Sequence, residues 1–242
     1  DLQSVQYVAK VAEKVLDSVV NTYTLGSTEV NVSPRIGISL YPADGRDVDT
    51  LVRNADAAMY HAKNTGRNIF QFYSAEMNAQ AAHRLAMETS LRRAVENQDF
   101  YLHFQPQIDL ITKQITGAEV LLRWRSEQWG EVSPAEFIPI LEDTGLIGVV
   151  GEFVLSESCK AYMNLADKLD PDFKIAVNLS GRQFKGGLLA KFVKQTLTTT
   201  NMSARNLELE ITESILMEDT DLAIKTLTDL SELGVTLAVD DF

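Results

Sequence analysis

Oxygen-bearing side chains recur in four strand-like segments after residue 115, at Glu119, Asn178, Glu208 with Glu210, and Asp240. Because side chains alternate between the two faces of a strand, each of them lies opposite its apolar neighbours. The carboxyl ends of parallel strands form the edge at which α/β proteins build binding sites. The sequence therefore predicts one site to which several strands contribute a carboxylate or an amide.

The chemistry of these side chains favours a hard divalent cation. Carboxylate and amide oxygens without His or Cys suit Mg²⁺ or Mn²⁺ rather than Zn²⁺ or copper. Asp241 adds an oxygen beside Asp240, and two adjacent acids repel each other unless cations neutralise them. A pair of metal ions about 3.5–4 Å apart is the usual arrangement for phosphodiester hydrolysis. We therefore expect two Mg²⁺ or Mn²⁺ ions and a phosphate ester as substrate.

Each of these residues also has a purely structural interpretation. Glu208 and Glu210 could form a solvated strand face, and residues 240–241 could cap a following helix. A single strand does not distinguish the two interpretations, but recurrence over four strands favours the site. Arg123 alone would be a surface ion pair. Its position on the same strand face as Glu119 favours a place in the site instead.

The elements that must position these residues alternate between strand and helix after an opening pair of strands. We predict strands near 101–109, 116–124, 174–180, 206–212 and 235–241, and helices near 134–142, 147–168, 185–200 and 219–233. This rhythm predicts parallel strands covered by helices, in either an open doubly wound sheet or a (β/α) barrel. Five strands are too few to close a barrel, so the barrel interpretation requires further strands outside this sequence.

The first part of the sequence has its own pattern. Apolar spacing predicts a helix over residues 5–20, a strand over 29–40, a helix from Leu51 that stops at Gly66, and a short strand over 69–73. Residues 74–97 are rich in Ala, Arg and Glu with apolar residues mostly on one face, which predicts a helical linker. The sequence thus divides into residues 1–73, a linker over 74–97, and residues 98–242.

Composition limits the class of protein. The 242 residues include 22 basic and 34 acidic ones, a net charge of −12 that repels nucleic-acid polymers and anionic membranes. Cys159 has no second cysteine for a disulfide, which is typical of a reducing cytoplasm. No apolar run is long enough to cross a membrane. Because the sequence starts at Asp1 without a signal-like segment, we expect a piece of a longer cytoplasmic protein, whose other segments could carry a membrane anchor.

Several ordered motifs of residues 98–242 resemble the EAL-domain family of cyclic-di-GMP phosphodiesterases, which have a (β/α)₈-like barrel. The matching segments are Gln105-Pro106, Gly117 to Trp124, Phe137-Ile138-Pro139, Val177 to Ser180, Leu209 to Glu213 and Asp240-Asp241-Phe242. One departure is Val120, where the family signature has alanine. Val120 faces away from Glu119, so we expect the site to tolerate this difference.

The resemblance implies roles for individual residues. Glu119, Asn178, Glu210 and Asp240 match the metal ligands of the family, and Asp241 matches the residue that engages the second metal ion; Glu119, Asp240 and Asp241 are also the expected catalytic residues. Gln105 and Arg123 match substrate contacts, and the Arg123 guanidinium can form a bidentate contact with a phosphate or a guanine edge. A homodimer through the EAL domain is a further expectation. The family also uses a lysine and additional acids from later strands, which lie beyond Phe242.

Residues 1–73 resemble the C-terminal part of a GGDEF diguanylate cyclase domain, an α/β sandwich. The likeness rests on residues 36–42, 55–63 and 66–68. Lys63 and Arg67 match family contacts to nucleotide phosphates, so GTP or another nucleotide is the expected ligand of this part in the longer protein. Both cations could equally interact with the dipole at the helix C-terminus. The catalytic acids of this family would precede Asp1, so we expect no cyclase activity from residues 1–242.

The sequence therefore predicts a GGDEF–EAL signalling protein whose expected reaction is hydrolysis of cyclic di-GMP to the linear dinucleotide, with residues 1–242 alone inactive. The alternative is a non-catalytic cyclic-di-GMP receptor or interaction module. Loss of a metal ligand would indicate that alternative, and all five ligands are present. A nucleotide-sensing regulatory role for residues 1–73 stays open.

Overall fold

The computed structural model describes residues 5–20, 22–25, 28–185, 187–212 and 220–240. The chain forms two compact units, Asp1–Ala86 and Met87–Phe242. None of the helices in the described ranges combines the length and apolar character that a membrane span requires.

The first unit begins with helix α1 (Val5–Val19) and an antiparallel hairpin of β1 (Thr22–Leu25) and β2 (Thr28–Asn31). Strand β3 (Arg35–Ile38) then pairs in parallel with β4 (Ile69–Phe72), and helix α2 (Val48–Thr65) connects them. Asp47 caps α2 by accepting a hydrogen bond from Thr50 N at 2.8 Å. The predicted single strand over 29–40 is wrong, because Pro34 cannot donate to a strand ladder and separates β2 from β3.

Helix α3 (Ala75–Asn97) covers nearly all of the segment for which the sequence predicts a helical linker. Its C-terminal part buries Met87, Leu91 and Ala94 in the core of the second unit.

The second unit is built on one sheet. Antiparallel strands β5 (Phe100–Ile108) and β6 (Ile115–Ser126) open it, and a short strand β7 (Gly130–Val132) folds back on β6. Strands β8 (Lys174–Asn178), β9 (Leu207–Thr212) and β10 (Thr236–Asp240) follow in parallel with β6, in the spatial order β10-β9-β8-β6-β5. Each new parallel strand joins the side of the previous one, which is the order of a barrel wall rather than of a doubly wound sheet.

The helices between these strands are α4 (Pro134–Thr144), α5 (Ile147–Leu165), α6 (Gly181–Lys185), α7 (Leu189–Thr200) and α8 (Thr220–Glu232), with 3₁₀ turns at Ala166–Lys168 and Ala204–Asn206. The helix that the sequence predicts near 185–200 corresponds to α7, which begins at Leu189, and the sequence does not predict α6 before it. Gly187 adopts a φ of 62°, which a helix does not allow, and separates α6 from α7.

The core of the second unit lies between the sheet and its helices. The rings of Phe100, Trp124 and Phe137 lie 5.8 to 6.2 Å apart, and all three side chains are buried. Along β6 the side chains of Ala118, Val120 and Trp124 face this core. The alternate residues, which include Glu119 and Arg123, therefore face the opposite side of the sheet, as the sequence predicts.

Candidate functional site

Three polar side chains converge on adjacent parallel strands of the second unit. Asn178, the last residue of β8, donates a hydrogen bond from Nδ2 to Oε1 of Glu119 on β6 at 2.8 Å. Asn178 is also the direct cross-strand partner of Glu210 on β9, so their side chains point to the same face. We call Glu119, Asn178 and Glu210 the mouth cluster. It combines two carboxylates and one amide from three strands.

The backbone around the mouth cluster is held by the sheet itself. Leu179 N donates to Glu210 O at 2.8 Å, which extends the pairing of β8 and β9 past Asn178. Asn178 is exposed, while Glu119 and Glu210 are half-buried. Rigid strands therefore carry the cluster, and its amide is open to a ligand.

Strand β10 places Asp240 at the same edge of the sheet. In the register of β10 with β9, Ala238 pairs with Glu210 and Asp240 pairs with Thr212. Position 240 thus lies two residues farther along β10 than the position that pairs with Glu210. The Asp240 side chain and the whole of Asp241 lie outside the described residues. Within the described ranges, no three His, Cys, Asp or Glu side chains form a metal-binding group.

The two predicted substrate contacts lie beside the cluster. Gln105 on β5 is exposed and is the cross-strand partner of Glu119. Arg123 lies farther along β6, half-buried, and its Nη1 donates to Leu122 O at 2.9 Å. A cavity of about 280 Å³ is lined by both Arg123 and Asn178. The cavity also has lining residues from α4, α5 and α6, so it lies at the edge of the sheet beside these helices. It is the strand register and the alternation of side chains that put Gln105 and Arg123 on the face that carries Glu119.

The same cavity contains residues that the sequence analysis missed. Glu142 of α4 lines it, and burial raises the pKa of this carboxyl, with Arg182 lowering it and Asp143 adding to the rise. Gln183 of α6 also lines it and accepts a hydrogen bond from Ser180 N at 2.9 Å through Oε1. The Ser-x-x-Gln spacing is that of a helix capping box, so a sequence signal for Gln183 existed.

The opposite end of the same sheet face holds a different polar group, which we call the floor: Gln107, Gly117, Lys174 and Glu208. Lys174 Nζ lies 3.2 Å from Glu208 Oε2, with side chains 39% and 18% exposed. A Cβ on Gly117 would lie 2.7 Å from the Gln107 Oε1 and 2.8 Å from the Lys174 carbonyl oxygen, so this close approach requires glycine. The solvated strand face considered for Glu208 is therefore wrong, since Glu208 is mostly buried and paired with a lysine.

Lys63 and Arg67 lie in the first unit and belong to a separate candidate site. Lys63 is in the last turn of α2, with Nζ 5.9 Å from the centroid of the Tyr60 ring, and Arg67 follows the Gly66 cap. Both side chains are exposed. Their nucleotide-binding role stays a prediction.

Comparison with protein-family models identifies two consecutive domains. Residues 88–242 match the EAL domain, and residues 1–69 match the diguanylate cyclase GGDEF domain. The first match covers the whole sheet described above, including the mouth cluster.

Similar proteins contain both regions in one chain. The bifunctional diguanylate cyclase/cyclic di-GMP phosphodiesterase MucR of Pseudomonas aeruginosa is 41% identical over 97% of this chain and 34% of its own length. The cyclic di-GMP phosphodiesterase PdeR of Escherichia coli is 34% identical over 96% of this chain and 35% of its own length. The chain thus spans about a third of the length of these curated relatives.

Solved structures agree with the fold of the second unit. The phosphodiesterase of MucR in complex with c-di-GMP has a TM-score of 0.62 at 38% identity, covering 65% of this chain and 64% of the other. The cGMP-bound EAL enzyme Bd1971 has a TM-score of 0.64 at 32% identity, covering 68% and 46%. EAL domains of this kind have a TIM-barrel-like α/β fold. By its motifs, its sheet order and these similarities, the chain belongs to the EAL-domain family, with a GGDEF region preceding the EAL domain.

Proposed function

We propose that the protein is a metal-dependent phosphodiesterase that hydrolyses cyclic di-GMP to the linear dinucleotide. The observation that carries this proposal is the mouth cluster: three adjacent strands bring Glu119, Asn178 and Glu210 to one edge and one face of the sheet. The names of the relatives and the c-di-GMP complex of MucR support the choice of substrate.

The donor atoms of the mouth cluster fit a hard divalent cation. Its ligating atoms are oxygens, and the Asn178 amide turns its nitrogen toward Glu119, which leaves Oδ1 available for a ligand. We propose that Glu119, Asn178, Glu210 and Asp240 hold Mg²⁺ or Mn²⁺ and that Asp241 engages a second ion. Such ions, when bound, lower the pKa of a water molecule and neutralise charge on the phosphoryl group.

The remaining residues of this face orient the dinucleotide. Arg123 lines the cavity next to Asn178, where its cation can form paired hydrogen bonds with a phosphate or a guanine edge. Gln105 lies across from Glu119 on β5, where its exposed amide can donate to a substrate oxygen. Neither residue carries negative charge, so both can approach a phosphate group.

The division of the chain into residues 1–73, a linker over 74–97 and an EAL part over 98–242 is also proposed. Family matches to residues 1–69 and 88–242 support it, as does the division into compact units at Ala86 and Met87. We further propose that Lys63 and Arg67 contact a nucleotide such as GTP and that the EAL part mediates a homodimer.

The test uses the purified full-length protein and measures linear dinucleotide formed from cyclic di-GMP. We expect turnover with Mn²⁺ or Mg²⁺, none after removal of metal by a chelator, and recovery when metal is restored. Glu119→Gln keeps the shape of the side chain and removes its charge, so it should abolish turnover. Binding of cyclic di-GMP without hydrolysis under saturating metal would contradict the enzyme and favour the receptor.

A further inference from the structure

The turn that follows Asn178 is held by one side chain. Gln183 Oε1 accepts the hydrogen bond of Ser180 N at 2.9 Å, and Gln183 N donates to Ser180 O at 3.0 Å. In a complete capping box the serine hydroxyl would also accept from the backbone. Here Ser180 Oγ is buried without a hydrogen-bond partner in the described part of the chain. The side-chain support of this turn therefore comes from Gln183.

The Gln183 side chain is itself held against α5. A Cβ built on Gly151 would collide with Gln183 Nε2 and approach Gln183 Cδ to 2.9 Å. A side chain at position 151 would therefore force the end of the flexible Gln183 side chain away from this position. The packing of α5 against α6 thus sets where the Gln183 carboxamide lies. The hydrogen bond that this carboxamide accepts from Ser180 N then constrains the backbone just after β8.

The hydrogen bond between Gln183 and Ser180 constrains the backbone two residues after Asn178. The three residues at the end of β8 are fixed by successive contacts: Asn178 to Glu119, Leu179 N to Glu210 O, and Ser180 N to Gln183. Asn178 is exposed, so its direction depends on its hydrogen bond to Glu119 and on the backbone on either side.

We infer that Gln183 is a positioning residue that holds Asn178 in the geometry required for metal binding, with Gly151 admitting its side chain. This inference rests on the proposed function, because it takes the mouth cluster as the metal site. Gln183 is neutral, so its removal changes the geometry of the site without changing its charge. A ligand support of this kind typically contributes about 10- to 100-fold in metal affinity.

The experiment titrates Mn²⁺ into the full-length protein by calorimetry, without substrate. We expect Gln183→Ala to weaken Mn²⁺ binding by about 10- to 100-fold. Gly151→Ala should weaken it similarly by displacing Gln183, and should add little in the Gln183→Ala background, where the collision is gone. Gln195→Ala, which removes an exposed amide from α7, is the matched control and should bind as wild type does.

A second measurement separates positioning from general destabilisation. In metal-free protein, hydrogen exchange at the Ser180 amide should accelerate in Gln183→Ala while amides in β9 stay protected. Wild-type Mn²⁺ affinity in Gln183→Ala, together with a deprotected Ser180 amide, would overturn the inference and leave the proposed function intact. Absence of Mn²⁺ binding by the wild-type protein would overturn the proposed function and this inference with it.

Discussion

The mouth cluster and the floor occupy opposite ends of one sheet face, and they differ in the side chain that accompanies their carboxylates. In the floor, Lys174 and Glu208 lie 3.2 Å apart and neutralise each other. In the mouth cluster, two carboxylates are accompanied by the neutral amide of Asn178, which donates to one of them. Both ends use the same strands and the same alternation of side chains. In the proposed function they differ in the source of the cation, which is Lys174 in the floor and a bound metal ion in the mouth cluster.

Under the proposed function, the same sheet carries polar residues that stabilise the fold at one end and polar residues that bind a ligand at the other. A matched ion pair gains nothing from an added cation, whereas neighbouring carboxylates are stabilised by one. The floor should therefore contribute to folding and be indifferent to metal. The mouth cluster should depend on metal and contribute little to folding.

The largest effect is expected when each of the two glutamates of β9 is replaced by glutamine in turn. Glu210→Gln removes a carboxylate from the mouth cluster and should abolish hydrolysis of cyclic di-GMP and weaken Mn²⁺ binding. Glu208→Gln, two residues earlier on the same face, should keep both. For both variants of the full-length protein, the turnover of cyclic di-GMP and the Mn²⁺ affinity from calorimetry are compared with wild type. An equal loss of turnover in the two variants would remove the distinction between mouth and floor.

The next largest effect concerns Arg123, the positively charged side chain that lines the cavity. Arg123→Ala should weaken cyclic di-GMP binding by about 1–3 kcal/mol, the value of one hydrogen bond to a charged group, and leave Mn²⁺ affinity unchanged. Arg125→Ala is the control, because Arg125 is exposed and paired with Glu131 at 2.5 Å. Calorimetry measures the affinities of both variants for cyclic di-GMP and for Mn²⁺. Unchanged dinucleotide affinity in Arg123→Ala would exclude Arg123 from the substrate contacts.

A smaller effect is expected at the floor. Lys174→Met removes the lysine of a partly exposed pair, so the free energy of unfolding should fall by less than about 1 kcal/mol. Turnover of the folded protein should match wild type. Urea denaturation of Lys174→Met, Glu208→Gln and the double variant measures their coupling. A large loss of turnover in Lys174→Met would show that the floor takes part in the reaction.

The smallest effect is a dependence of stability on pH that originates at Glu142. Burial raises the pKa of this carboxyl in the folded state above its ordinary value of 4.5. The folded state then binds more protons than the unfolded state between the two pKa values, so the group lowers stability as pH rises through that window. Glu142→Gln should stabilise the protein at neutral pH and make no difference below the ordinary value. A gain that is independent of pH would indicate another cause.

Much of the candidate site follows from local patterns. The alternation along residues 118–124 is visible in the sequence, and the structure confirms that Ala118, Val120 and Trp124 face the core. The parallel strands lie within about two residues of the predicted ends, because strand formation there follows from short apolar segments. Strand β7 was missed, since three residues carry too weak a periodic signal.

Other features depend on contacts between residues far apart in the sequence. No spacing rule links Lys174 with Glu208, which are 34 residues apart. The contact between Gly151 and Gln183 is equally invisible, because it requires α5 and α6 to pack together. The burial that raises the pKa of Glu142 likewise comes from the helices and strands around the cavity.

The two glutamates of β9 mark the boundary between what the sequence alone determined and what the tertiary structure decided. Alternation placed Glu208 and Glu210 on one polar face, because the period of a strand is a local property of the backbone. It could not tell them apart. The parallel register sets Glu208 opposite Ala176, within reach of Lys174, and sets Glu210 opposite Asn178. Register is decided by packing between strands distant in sequence, so only the folded sheet makes one glutamate structural and the other a candidate ligand.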